Sequence, residues 1–219
     1  MNQTIEFLTA GGPVMIPIAL GSVIALTIFL ERMWALRKER IIPDDLVPRV
    51  LKLVADKEFG KARDACLASN SPMGRILQTA LEARNASREQ IKAAVEEKGV
   101  LETARMEKFI EALGTTASLE PLLGLLGTVT GMIGVFKKVV ASAATGAVDP
   151  SQLANGIWQA LITTAAGLSV AIPAYVAYRY LVSKNLRRAL EMEEAAGSLL
   201  DLLAPVGNPE TAPPKGAAS

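Results

Sequence analysis

Two apolar stretches decide the fold of this chain: residues 120–136, EPLLGLLGTVTGMIGVF, and residues 156–174, GIWQALITTAAGLSVAIPA. Apart from Glu120 they carry no charge, yet glycine, alanine and threonine together outnumber leucine and isoleucine in them. A helix that only dissolves in lipid can be leucine throughout, whereas one that approaches other helices closely needs small and hydroxylated side chains. The two stretches therefore predict a packed bundle of membrane helices with a polar seam.

Apolar runs long enough to cross a bilayer occur three times. Residues 13–30 contain no charge, residues 153–178 contain none, and residues 112–136 contain only Glu120. About 20 apolar residues are needed for a helical span. The first run lacks a basic segment before it, which argues for a retained helix rather than a cleaved signal peptide. We expect an all-α integral membrane protein with three transmembrane helices.

The positions of lysine and arginine predict the orientation, because cytoplasmic flanks of spans are enriched in them. Basic residues follow the first and third spans: Arg32, Arg37, Lys38, Arg40, Arg179, Lys184, Arg187 and Arg188. The connection between the second and third spans has only Lys137 and Lys138, partly balanced by Asp149. The N-terminus and the loop between the second and third spans are therefore expected outside the cytoplasm, and the middle segment and the C-terminus inside it.

The predicted segments follow from these spans. They are a periplasmic N-terminus (1–12), span one (13–34), a cytoplasmic helical segment (35–111), span two (112–140), a periplasmic loop (141–152), span three (153–182), a cytoplasmic helical extension (183–204) and a disordered tail (205–219). Ser87, followed by Glu89 and Gln90, is a plausible helix N-cap. A helix starting there would run without a break into span two and would be longer than the bilayer is thick.

Small residues recur at helical spacing in both stretches. The glycines of span two follow steps of three, four and three residues, which places them on one stripe of a helix. Span three continues the same rhythm. The predicted helix-packing positions are Gly124, Gly127, Gly131, Gly134, Gly156 and Gly167.

Polar side chains accompany these stripes. Thr128 flanks the stripe of span two, while Thr163, Thr164 and Gln159 lie near the same depth in span three. A single threonine can satisfy its hydroxyl on its own backbone one turn earlier. Several polar groups at one depth carry a cost that pairing or hydration must offset. We interpret them as an ion pathway, with Glu120 at its cytoplasmic mouth or simply as a boundary charge.

Other functional classes have little support. The chain has no histidine and one cysteine, Cys66, so it offers no disulfide framework and none of the usual metal or acid–base constellations. GLLGTVTG superficially resembles a phosphate-binding loop, but it lacks the lysine and lies inside an apolar span. We expect no enzyme activity, no cofactor, no metal and no nucleic-acid partner.

In these two stretches the chain resembles the MotA/TolQ/ExbB family of bacterial inner-membrane motor subunits. EPLLGLLGTVTGMIGVF is similar to the family's PxxGLxGTVxG pattern, and GIWQALITTAAGLSVAIPA to its GIxEALxxTAxGLxxAIPA pattern. The resemblance implies a homopentameric ring around single-span partners of the ExbD/TolR type, each with a membrane aspartate. It also implies that ion flow energises a periplasm-spanning protein of the TonB or TolA type. The family's pore-facing threonines correspond to Thr128 and Thr164, with Thr163 an added neighbour.

One position departs from the family pattern. Gln159 stands where the best-known ExbB and TolQ proteins have a glutamate, and glutamine cannot titrate. The coupling ion therefore stays open between proton and sodium, as does the effector that is energised. The alternative hypothesis is a membrane scaffold in which the small-residue stripes serve only oligomer packing.

Overall fold

The structure is a computed structural model that describes residues 11–143 and 150–205. Outside the described residues lie most of the predicted periplasmic N-terminus (1–10), half of the periplasmic loop (144–149) and nearly all of the predicted disordered tail (206–219). The described residues form helices and no strands, which confirms the all-α prediction for this part of the chain. The helices are α1 (Met15–Ala35), α2 (Lys38–Ile41), α3 (Leu46–Ala55), α4 (Phe59–Ser69), α5 (Pro72–Glu82), α6 (Arg88–Ala143) and α7 (Pro150–Leu203).

Three helices, α1, α6 and α7, are long and apolar enough to cross a membrane, as the sequence predicts. At about 1.5 Å per residue, the 21 residues of α1 match a hydrocarbon core of about 30 Å. The 56 residues of α6 and the 54 residues of α7 give lengths of about 84 and 81 Å. Both helices therefore extend far beyond a bilayer.

The long helix α6 begins where the sequence predicts. The Ser87 backbone N–H donates to the Gln90 side chain at 3.1 Å, and the Gln90 N–H donates back to the Ser87 hydroxyl at 3.3 Å. This reciprocal capping box satisfies donors that a helix start otherwise leaves unpaired. From there α6 continues to Ala143, and α7 begins with Pro150 at its first turn, a position that suits proline. Both helices thus run a few residues into the predicted 141–152 loop.

The chain divides into two compact units, to which α1, α6 and α7 each contribute residues. The apolar unit comprises Met1–Glu31 and Phe109–Leu181, and the charged unit comprises Arg32–Lys108 and Val182–Ser219. In the apolar unit, large hydrophobic side chains such as Leu20, Leu122 and Ile172 are exposed. An apolar surface of this kind requires lipid or another protein chain to cover it.

The charged unit contains the short helices α3 to α5. Ser71 caps α5 by accepting a 3.0 Å hydrogen bond from the Gly74 N–H, and Pro72 occupies the first turn. Cys66 is buried in this unit, and burial raises the pKa of its thiol to about 11.

A buried carboxylate links α5 to α6 in the charged unit. Glu102 is fully buried, and its side chain accepts hydrogen bonds from Arg75 at 2.6 Å and Arg105 at 2.8 Å, with Lys98 at 3.7 Å. Burial by itself raises the pKa of a carboxyl, but here the Arg75 hydrogen bond and the three cations outweigh it and hold the Glu102 pKa below its usual range.

Candidate ion pathway

The two stretches that decide the fold meet at the glycines of α6. A Cβ at Gly124 would lie 3.0 Å from the Thr163 carbonyl oxygen and 3.1 Å from the Thr164 Cα. A Cβ at Gly127 would lie 2.5 Å from the Thr163 Cβ, which is too close for any side chain. Glycine at these two positions therefore lets α7 approach the α6 backbone directly.

The close approach continues on both sides of this point. A Cβ at Gly167 would lie 2.6 Å from the Glu120 carbonyl oxygen, and a Cβ at Gly131 would lie 3.1 Å from the Ala160 Cβ. A Cβ at Gly156 would overlap the Val135 side chain. Gly134 differs, because a Cβ there would meet nothing within 4 Å among residues 11–143 and 150–205. In this part of the chain Gly134 therefore adds nothing to the α6–α7 contact.

The three threonine hydroxyls all have backbone acceptors. Thr164 donates across the helix pair to the Gly124 carbonyl oxygen at 3.1 Å. Thr163 is buried and donates to Ala160 in its own helix at 2.7 Å, while the half-buried Thr128 donates to Leu125 at 2.7 Å. A hydroxyl that donates one bond keeps its acceptor lone pairs. The oxygens of these threonines thus remain able to accept a hydrogen bond from water or to coordinate a cation.

The residues just before α1, Gly11 and Gly12, lie against Thr163 and Gln159 of α7. Gly12 adopts a left-handed backbone with φ of 70°, and a Cβ there would overlap the Nε2 atom of the partly buried Gln159. A Cβ at Gly11 would lie 3.2 Å from the Thr163 Cγ2. Neither glycine is among the site residues predicted from the sequence, although an adjacent Gly-Gly pair before an apolar helix is a recognisable turn signal.

Glu120 is buried against α1. Its side chain is 1% exposed, and a Cβ at Gly21 would overlap its Oε1 atom. Gly21 lies near the centre of the uncharged run 13–30, so the carboxyl lies beside the middle of this run rather than at its charged end. The sequence signal for this contact is weak: Gly21 is the single glycine in residues 13–30, and nothing in the sequence pairs it with Glu120.

Among these residues, the threonines supply hydroxyl oxygens and Gln159 supplies an amide. These groups can hydrogen-bond to the water around an ion or coordinate the ion directly, but they cannot titrate. Within residues 11–143 and 150–205, no cluster of three or more His, Cys, Asp or Glu side chains is arranged to hold a metal ion. The arrangement is that of a hydroxyl-lined contact between closely packed helices, with one carboxyl held against a third helix.

Three apolar helices and a close glycine–threonine helix pair are features of a multi-span membrane protein. The model of the MotA/TolQ/ExbB proton channel family matches residues 68–194, and the chain belongs to this family. The family and the three candidate spans fit an inner-membrane location.

Named relatives agree with this assignment. The chain is 41% identical to ExbB-like 1 of Synechocystis sp. over 199 residues, which cover 90% of this chain and 77% of the relative. It is 30% identical to ExbB-like 3 of the same organism over 87% of this chain and 90% of the relative. It is also 34% identical to the biopolymer transport protein ExbB of Xanthomonas campestris over 47% of this chain and 40% of that protein. The chain is thus similar to biopolymer transport proteins of the ExbB type.

Proposed function

We propose that this chain is an ion-driven energising subunit of the inner membrane. It would form a homopentameric ring around single-span partners of the ExbD/TolR type, whose membrane aspartate supplies the titrating group opposite the threonines. Ion flow would then energise a periplasm-spanning protein of the TonB or TolA type. In this arrangement the N-terminus is periplasmic, and the charged unit and C-terminus lie in the cytoplasm.

The observation that carries this proposal is the Thr163–Thr164 pair packed on Gly124 and Gly127. Several polar side chains at one depth of a membrane carry a desolvation cost, and a hydrated ion pathway is one arrangement that offsets it. Hydroxyl oxygens that retain acceptor capacity beside Gln159 supply half of an ion site. The exposed apolar faces of α1, α6 and α7 support the presence of further protein chains as well as lipid.

The test uses valine variants, which keep the shape of threonine and remove the hydroxyl. Thr128→Val and Thr164→Val are each introduced in the source organism, and energised uptake is measured together with the mass of the purified complex. Both variants should lose uptake while the oligomer and its single-span partner still co-purify. Thr130→Val is the matched control, because Thr130 is exposed and its hydroxyl donates to Leu126 in its own helix.

The scaffold alternative has a specific observation in its favour, since the Thr163 hydroxyl is satisfied by Ala160 and its side chain fills the contact at Gly127. A scaffold needs these groups only for packing. Under this alternative Gly127→Leu disrupts the oligomer, whereas Thr128→Val and Thr164→Val leave uptake unchanged. Unchanged uptake in both valine variants would therefore exclude the two threonines from an ion path.

A further inference from the structure

We infer that Glu120 of α6 is a proton-binding carboxyl inside the apolar unit. Its side chain packs against Gly21 of α1, with no charged partner among the described residues. The inference concerns the protonation state of this chain's own carboxyl. The use of that proton in ion movement rests on the proposed function above. It changes the role of Glu120 from a boundary charge to a titrating site that this chain supplies in addition to any partner aspartate.

The first observation is an unpaired buried atom. Glu120 is 1% exposed, and its Oε2 atom is buried with no hydrogen-bond partner within residues 11–143 and 150–205. A carboxylate ion that is removed from water and left unpaired has a very large desolvation cost, whereas a neutral carboxylic acid has a much smaller one. Buried polar atoms without a partner are rare in folded proteins, and each needs an explanation.

The second observation is the shape of the site. A Cβ at Gly21 would overlap Glu120 Oε1 and lie 2.8 Å from its Cδ, so glycine is the residue that leaves room for the carboxyl. The same Cβ would lie 3.6 Å from the Thr116 Cγ2, which places a methyl group beside the carboxyl. On the α7 side, Gly167 packs against the Glu120 backbone. The neighbours shown beside the carboxyl are therefore a glycine backbone and a threonine methyl group, since the Thr116 hydroxyl donates to the Ala112 carbonyl oxygen.

The third observation is that no Lys or Arg occurs in residues 13–30 of α1, 112–136 of α6 or 153–178 of α7, the apolar segments around Glu120. Residues 13–30 of α1 contain no titratable side chain, and residues 153–178 of α7 contain only Tyr175 and Tyr178. The Tyr178 ring lies against Gly114, nearly two helical turns before Glu120, and Tyr175 is exposed. On α6 the nearest titratable residue on the N-terminal side is Glu111, which is also an acid. No cation in these segments favours the ionised form of Glu120.

Glu102 is the contrasting case within the same molecule. It is equally buried, but Arg75, Lys98 and Arg105 surround its carboxylate. The two glutamates therefore differ in charge compensation rather than in burial. Their side chains are expected in opposite protonation states at neutral pH, protonated for Glu120 and ionised for Glu102.

Infrared difference spectroscopy on the full chain in lipid tests this inference. At about pH 7 an unperturbed glutamate is ionised, so a protonated carboxyl stands out by its C=O stretch. The wild type should show one such band per chain that shifts in D₂O. The band should be lost in Glu120→Gln, which keeps the size of the side chain, and retained in Glu102→Gln. Absence of the band in the wild type, or its persistence in Glu120→Gln, would overturn the inference.

A second readout uses dicyclohexylcarbodiimide, an apolar reagent that modifies protonated carboxyls in membranes, followed by mass spectrometry of the peptides. Glu120 should be modified several-fold faster than Glu102. Equal modification of the two would count against the inference. If the protein shows the band but moves no ions, the inference about Glu120 stands and the proposed function is refuted. If it moves ions but shows no band, the proposed function stands and the inference about Glu120 is refuted.

Discussion

The hydroxyl of Thr164 donates a hydrogen bond to the carbonyl oxygen of Gly124, 40 residues earlier in the chain, at 3.1 Å. This bond joins the two apolar stretches at the point where a Cβ on Gly124 would lie 3.1 Å from the Thr164 Cα. A polar contact and a close backbone approach thus coincide. The same threonine is also placed in the proposed ion path, so its structural and functional contributions have to be separated.

Thr164→Ser and Thr164→Val separate these contributions. Serine keeps the donor to Gly124, whereas valine removes it at a cost of about 0.6 kcal/mol, which is typical of a hydrogen bond between membrane helices. We expect a small decrease in Tm in detergent for valine and energised uptake that is lost in valine but retained in serine. Loss of uptake in both variants would show that the hydroxyl alone does not sustain activity and that the methyl group, which serine lacks, is also required.

Gly127→Leu and Gly134→Leu form a second matched pair. A side chain at Gly127 overlaps Thr163, so leucine should destabilise the fold by about 1–3 kcal/mol or more. A Cβ at Gly134 meets nothing within 4 Å among the residues that the structure describes, so the Tm of a detergent-isolated monomer should change little. Circular dichroism melting gives the Tm, and mass measurement gives the oligomer. A loss of the oligomer alone in Gly134→Leu would place Gly134 at a contact between subunits.

The Glu102 cluster predicts an acid-sensitive stability of the charged unit. The Glu102 pKa is lowered in the folded chain, so its contribution is fully present above the unfolded value of about 4.3 and is lost as pH falls through the folded pKa. Thermal melting as a function of pH measures this loss. Glu102→Gln should lower Tm at neutral pH, and its Tm should change less than that of the wild type below about pH 4.3. Parallel curves for the two proteins would contradict the lowered pKa.

Cys66 provides a reporter of folding in the charged unit. The thiol is 2% exposed and burial raises its pKa to about 11, so few molecules carry the reactive thiolate at neutral pH. Iodoacetamide should label the native chain slowly and the denatured chain rapidly, as measured by intact mass. The double variant Cys66→Ser/Leu67→Cys is the control, because Leu67 is exposed. Rapid labelling of native Cys66 would show that α4 opens at neutral pH.

Much of the architecture follows from local sequence. The Ser87–Gln90 capping box and the uninterrupted helical pattern predict a continuous α6, because both signals lie within a few residues of the feature they specify. The glycine spacing likewise predicts which face of α6 lacks side chains and can pack closely against another helix. It does not reveal that the contact continues through Val135, whose side chain meets Gly156, rather than through Gly134.

Contacts between distant segments could not be predicted in the same way. Gly21 and Glu120 come from different helices. The sequence of each helix is as consistent with a Glu120 carboxyl at the membrane boundary as with one buried against α1. The pairing of Glu102 with Arg75 depends on how α5 packs against α6, which helical periodicity does not specify. In both cases tertiary packing determines whether a buried acid has a cation beside it.

Ion movement in proteoliposomes tests the central claim most directly. The chain is purified together with the single-span protein that carries a membrane aspartate and is reconstituted, and uptake of protons and of sodium ions is measured under an imposed membrane potential. Uptake of one of the two ions that is lost in Thr128→Val and Thr164→Val but retained in Thr130→Val is the predicted result. No uptake by the assembled complex, or equal uptake in all three variants, would contradict an ion path along these threonines.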